Sequence, residues 1–147
     1  MLEIYEEVGK KAGTYFDSGY NCAQAVALSN IETLGGQTSG IIELAAGFGK
    51  GLGAGCTCGA LAGGVMALGV LLANLETKGF DRRIVLASAE LHRRFVAEFG
   101  TACCRSLRKK LSPFKNKRCR GVTVVTSTLA MEIVLANKQG LAPSVGI

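Results

Sequence analysis

The chain has 147 residues, 48% of them hydrophobic, with 2 prolines and no tryptophan. That length fits one domain, 1–147, able to bury a core without disulfides to hold it, and the shortage of β-branched runs beside long Ala/Leu-rich segments argues against a sheet protein. The net charge of +6 is local: RSLRKKLSPFKNKRCR, residues 105–120, holds eight basic residues and no acidic one, which leaves nine basic against eleven acidic residues elsewhere and excludes a uniformly basic surface.

Residues 2–16 place Ile4, Tyr5, Val8, Ala12 and Phe16 at helical spacing, with Glu and Lys on the other side. DSGYN breaks that pattern, and Ser18 or Asn21 caps a second helix, CAQAVALSNIETL, which stops at GGQTSG and puts Cys22 at a helix start. A short helix in GIIELAAG leads into residues 47–57, where Gly47, Gly49, Gly51, Gly53 and Gly55 alternate. Each glycine weakens a helix by about 1 kcal/mol relative to alanine, so this segment reads as an irregular turn whose backbone comes close to something.

A long helix follows, from about 58 to 76. Residues 51–75 carry no charge over 25 positions, the length of a membrane span, but seven are glycine and two are thiols, a composition that reads as a buried central helix and not a span. Its Gly59/Gly63 and Ala60/Gly64 pairs make a smooth strip suited to tight helix packing or, alternatively, to a homodimer contact. TKGFD ends it, Asp81 caps RRIVLASAELHRRFVAEFG with Ile84, Ala87, Leu91, Phe95 and Phe99 at helical spacing, and Gly100 stops that helix. CCRSLRKKL gives one or two turns ahead of SPFKNK, and a last helix covers GVTVVTSTLAMEIVLANKQ, with a short strand in GVTVVTST as the alternative. The tail GLAPSVGI reads as loose. The pattern is all-α, a compact single-domain bundle of about five to six helices around a buried Gly/Ala-rich central helix. The N-terminus has no signal-like apolar region, so the expected location is cytoplasmic.

Six cysteines in a reducing compartment point to metal binding or redox chemistry more than to structural disulfides. None forms a CxxC pair, which removes the usual zinc-finger and thioredoxin spacings, and the lack of CxxCH excludes c-type haem. Cys22 and Cys58 fall at helix starts, Cys104 after a helix end and Cys119 just ahead of the last helix. Convergence of those four ends would make a four-cysteine pocket, with backbone N–H groups of the glycine-rich turn, Gly55 and Gly59 among them, directed at sulfur. The plain alternative for any one cysteine is a small buried hydrophobe. His92, the single histidine, lies on a charged helical face where it reads as solvent-facing, and its solitude rules out a multi-histidine metal site.

NCAQAV (21–26), GFGKGLG (47–53), CGALAGG (58–64), FVAEFGTACCRSL (95–107) and the later Cys119 resemble, in order, the C_GCAxxG_C_C family of small bacterial and archaeal redox proteins. The order Cys-Gly-Ala at 58–60 departs from the family's Gly-Cys-Ala. The resemblance implies a helical domain with an iron-sulfur or other metal centre, and it assigns the family's four cysteines to Cys22, Cys58, Cys104 and Cys119, with Cys56 and Cys103 as additional thiols.

On that assignment four thiolates leave the site anionic, and Arg105, Arg118 and Arg120, next to the ligands, offset the charge. The same basic segment suits an acidic redox partner protein. The functional expectation is an electron-transfer protein. Two alternatives stay open: a thiol-disulfide enzyme or sensor using Cys56/Cys58 or Cys103/Cys104 as a local dithiol, and an interaction module with structural zinc on the same four ligands. Nucleic acid is disfavoured, because only Phe114 interleaves with the basic residues and no reading motif is present.

Overall fold

The computed structural model describes residues 2–74, 76, 78–109 and 115–140. Among them are seven α-helices: α1 (Leu2–Asp17), α2 (Cys22–Thr33), α3 (Ile41–Ala45), α4 (Gly59–Leu72), α5 (Arg82–Phe99), α6 (Cys104–Lys109) and α7 (Lys115–Lys138). No strand occurs among the described residues, only an isolated antiparallel bridge between Thr57 and Cys103.

Local chemistry sets most helix starts. At α2, Asn21 Oδ1 accepts the Gln24 N–H at 2.8 Å while Gln24 Oε1 accepts the Asn21 N–H at 3.0 Å, a reciprocal capping box that selects Asn21 over Ser18. At α5, Asp81 Oδ1 accepts the Arg83 N–H at 3.0 Å, and Gly100 closes the helix in the left-handed conformation at φ 85. α5 is amphipathic as its spacing predicts: Ala87, Leu91 and Phe95 are buried, and His92 is exposed. α2 has no polar face, because α1, α4 and α7 surround it. The expected central helix therefore shares its place: α2 is as enclosed as α4.

Three of the inner helices run in the same direction. Cys22 and Ala23, starting α2, meet Gly59 at the start of α4, while Gly36, just past the end of α2, meets Leu71 near the end of α4. Cys22 also meets Thr123 in the early part of α7, and further along the Ser29 and Ser127 hydroxyls are 3.1 Å apart, with Asn30 Nδ2 donating to the Ser127 carbonyl at 3.3 Å. α2, α4 and α7 are thus parallel, and their N-terminal ends lie together. α1 packs against α7 in the opposite sense, with Asp17 on Arg120 and Gly9 on Val124. α5 returns along α4, where Leu91 packs on Gly64 and the Arg83 guanidinium donates to the Leu72 carbonyl. The glycine strip of α4 is therefore spent inside the chain. A Cβ on Gly63 would overlap the Ala23 carbonyl, so only glycine lets α2 and α4 approach this closely. Val26, Leu61, Leu68, Leu91, Phe95, Ile133 and Val134 fill the core between them, each such side chain contributing roughly 1.5–3 kcal/mol on burial.

Two expectations need correction. α4 ends at Leu72 and not near 76, because Ala73 turns extended and the Asn74 N–H goes to Asp81 Oδ2 at 3.3 Å. α7 begins at Lys115, so GVTVVTST is helical and Cys119 lies inside the helix instead of ahead of it. The β-branched residues are held there by burial of Val122, Thr123 and Thr126 and by hydroxyl bonds to the preceding turn, Thr123 Oγ1 to the Cys119 carbonyl at 2.7 Å and Thr128 Oγ1 to the Val124 carbonyl at 3.4 Å. Residues 119–138 are long and apolar enough to cross a membrane by length and composition, and here they pack against α1, α2, α4 and α5. The loose tail from 141, the interruption at 112–114 with Phe114, and the side chain of Arg118 lie outside the described residues.

Candidate metal centre

The glycine-rich turn is left-handed. Lys50 (φ 55), Gly51 (φ 62), Leu52 (φ 65) and Gly53 (φ 69) are consecutive residues in the left-handed region, and Gly55 (φ 70) follows. For Lys50 and Leu52 this conformation costs about 1–2 kcal/mol each. Gly51 is obligatory for a second reason, since a Cβ there would lie 2.6 Å from Cys104 Cβ. The turn closes with the Cys56 N–H on the Gly51 carbonyl at 2.9 Å. The chain then meets the segment before α6: the Cys58 N–H donates to the Ala102 carbonyl at 2.8 Å and the Cys104 N–H to the Cys56 carbonyl at 2.5 Å, flanking the Thr57–Cys103 bridge. This short ladder joins Cys58, which caps α4, to Cys104, the first residue of α6.

Cys22, Cys58, Cys104 and Cys119 line one cavity of about 760 Å³, together with Phe16, Tyr20, Lys50, Leu107, Arg108 and Val122 among others. They come from four helices: Cys22 and Cys104 open α2 and α6 and Cys58 is the N-cap of α4, where partial positive charge and free amides favour thiolate, whereas Cys119 lies a turn inside α7. The Ala60 and Leu61 N–H groups at the start of α4 favour the Cys58 thiolate, although the Cys58 side chain makes no capping hydrogen bond. The Cys22 and Cys119 side chains hydrogen-bond to each other, and the Thr123 hydroxyl reaches Cys22 as well.

In the absence of a cation the inner thiols resist ionisation. The bond to Cys119, then burial, push the Cys22 thiol far above the ordinary range, against the pull of Thr123. Burial pushes Cys58 up to about 11, with smaller contributions from the charges of Cys104 and Cys119. Burial also raises Cys104, opposed by the Arg108 guanidinium. The four groups thus repel one another as anions, and a cation bound among them would reverse that balance. Among the described residues, no three His, Cys, Asp or Glu side chains meet closely enough to hold a single metal ion.

The remaining expected residues are dispersed. Cys56 is exposed and Cys103 half-buried, and neither lines the cavity. The Ser106 hydroxyl and N–H hold the Cys103 thiol below its usual range, with Arg105 assisting. Gly59 lines the cavity, whereas Gly55 lies outside it and accepts from Cys103 Sγ at 3.5 Å. Arg105 donates to the Ala54 carbonyl at 3.1 Å, and Arg120 is spent on Asp17, Nε to Oδ1 at 2.9 Å and Nη2 to Oδ2 at 3.0 Å. Lys50 and Arg108 are cations lining the cavity; Arg108, which acts on Cys104, lies one helical turn after it, and Thr123 stands in the same relation to Cys119. That four-residue spacing is the sequence signal for both.

The sequence model of a family described as "Putative redox-active protein (C_GCAxxG_C_C)" matches residues 20–133. The chain belongs to this family. The matched segment of this C_GCAxxG_C_C protein includes all six cysteines, the left-handed turn and the bridge. No curated protein and no solved structure matches the chain.

Proposed function

We propose that this C_GCAxxG_C_C protein holds an iron-sulfur cluster on Cys22, Cys58, Cys104 and Cys119 and serves in electron transfer. The observation carrying this reading is that these four of the six thiols surround one cavity of about 760 Å³. An all-thiolate donor set suits iron-sulfur or zinc above harder cations. Zinc would draw its sulfurs to about 2.3 Å from a single point, and among the described residues no three such donors meet that closely.

Such a centre supplies reversible one-electron transfer. This chain's residues tune it: the Ala60 and Leu61 N–H groups near Cys58 and the Arg108 charge near Cys104 favour the more negative, reduced state and raise the potential. Leu107 and Val122 limit water on one side, and Lys50 and Arg108 at the cavity suit an acidic redox partner.

The test is anaerobic purification followed by a visible spectrum and assays of iron, acid-labile sulfide and zinc. Charge-transfer absorption with labile sulfide is the expected result. A colourless protein with stoichiometric zinc would replace the cluster by a structural zinc site, and a metal-free protein with six titratable thiols would overturn both.

A further inference from the structure

We propose that the tip of the left-handed turn, Lys50 and Leu52 together with Arg105, is the docking face for an acidic electron-carrier protein, and that the electron reaches the centre through this turn. The inference rests on the electron transfer proposed above and adds to it the surface on which the partner sits.

Two side chains stand where glycine would be favoured. Lys50 (φ 55) and Leu52 (φ 65) alternate with Gly51 and Gly53 in the left-handed region, and both are exposed, Leu52 at 49%. Glycine takes this conformation without steric cost, and Leu52 has no part in the core, so what the two side chains add is a property of the surface. The tip is open, since a Cβ on Gly53 would meet nothing within 4 Å. Arg105 arrives from α6 and is fixed on the far side of the turn, Nη2 donating to the Ala54 carbonyl at 3.1 Å. Leu52 is thus flanked by cations, Lys50 two residues before it and Arg105 held two residues after it.

Charge selects the partner. Residues 44–75 and 99–131 contain no Asp or Glu, and among the described residues no carboxylate pairs with Lys50 or Arg105. A face with unneutralised cations around an apolar anchor has the anatomy of a protein interface and calls for an acidic counterpart. An aliphatic anchor offers a nucleic acid no ring to stack on. Below the tip, the backbone at Gly51 lies against Cys104, where an added Cβ would be 2.6 Å from Cys104 Cβ. Only the backbone of the turn therefore separates a docked partner from a side chain that lines the cavity. One electron passes, the partner's carrier group being oxidised and the centre reduced, with no bond made or broken.

In the experiment, the whole anaerobically purified chain is assayed for iron and sulfide and then titrated calorimetrically with oxidised flavodoxin as the acidic probe, and with a basic c-type cytochrome as the control. Stopped-flow mixing with reduced flavodoxin reads the transfer. Flavodoxin is expected to bind, less tightly as salt rises, and the cytochrome is not. Lys50→Gly and Arg105→Gln should each weaken binding and slow transfer about threefold or more while flattening the salt dependence. Leu52→Gly should weaken binding about fivefold or more and leave the salt dependence unchanged. Both glycine variants suit the left-handed backbone, so metal content and melting temperature should stay at the parent's level. Flavodoxin that fails to bind, or that binds all three variants as tightly as the parent, would overturn the docking face, and binding without transfer to an intact centre would overturn the route. A centre that does not form shows in the metal assay, whereas docking is read by calorimetry without any electron moving.

Discussion

The side-chain amide of Asn21 donates to the Ala46 carbonyl at 3.2 Å, so the residue that starts α2 also holds the chain leading into the left-handed turn. The same side chain caps α2 through the Gln24 N–H. Asn21→Ala removes both bonds next to Cys22. The expected loss is about 1–2 kcal/mol, read by urea denaturation, with Asn21→Asp losing less because it keeps the capping acceptor.

Two glycines of α4 should respond to alanine with opposite signs. At Gly63 the added methyl meets the Ala23 carbonyl, and overpacking of this kind costs about 1–3 kcal/mol. At Gly69 nothing lies within 4 Å of the new Cβ, and the helix gains up to about 1 kcal/mol. Thermal melts of Gly63→Ala and Gly69→Ala check this, and the first variant should also bind less metal because α2 and α4 carry Cys22 and Cys58 apart.

Cysteine substitutions should divide four against two. Serine at Cys22, Cys58, Cys104 or Cys119 is expected to abolish stoichiometric metal uptake, whereas serine at Cys56 or Cys103 leaves it intact. Iron, sulfide and zinc assays on the six single variants decide this, and loss of metal in C56S or C103S would move the ligand set outward.

Tyr15 donates to Glu32 Oε1 at 2.5 Å, and burial followed by this bond raises its phenol from 10.0 to about 12. The folded chain therefore keeps a proton that the unfolded chain releases first. The associated stability is fully present below pH 10 and is lost as pH rises through about 12. Denaturation across that window should show a steeper decline for the parent chain than for Tyr15→Phe.

Helices with a side-chain cap at the start and glycine just past the end are legible in the sequence. α5 declares itself through Asp81, the Ala87–Leu91–Phe95 spacing and Gly100, and α2 through Asn21 and the glycines after it. α7 conceals its start because Val122, Thr123, Val124, Val125 and Thr126 have strand-like composition, and packing against α1, α2 and α4 with bonds to their own helix makes them helical. The alternating glycines show that residues 47–57 are irregular, but not that Lys50 and Leu52 share the left-handed conformation or that Gly51 comes up against Cys104, a contact between segments far apart in sequence. For the same reason Arg120, adjacent to a cysteine in sequence, reads there as a charge-offsetting group. Its guanidinium instead crosses Gly13 to reach Asp17 on α1.

The Ser29–Ser127 contact acts as a gauge mark between two rods. Apolar faces of α2 and α7 could slide past one another at little cost, but a slip of one turn, about 5.4 Å, would break the two bonds to Ser127 in a dry interface and leave Ser29 and Asn30 only the Val26 carbonyl of their own helix. Cys22 and Cys119 each sit about two turns upstream of that mark. The separation of two sulfurs at the end of the bundle is thus metered from its middle, by side chains that never touch the cavity.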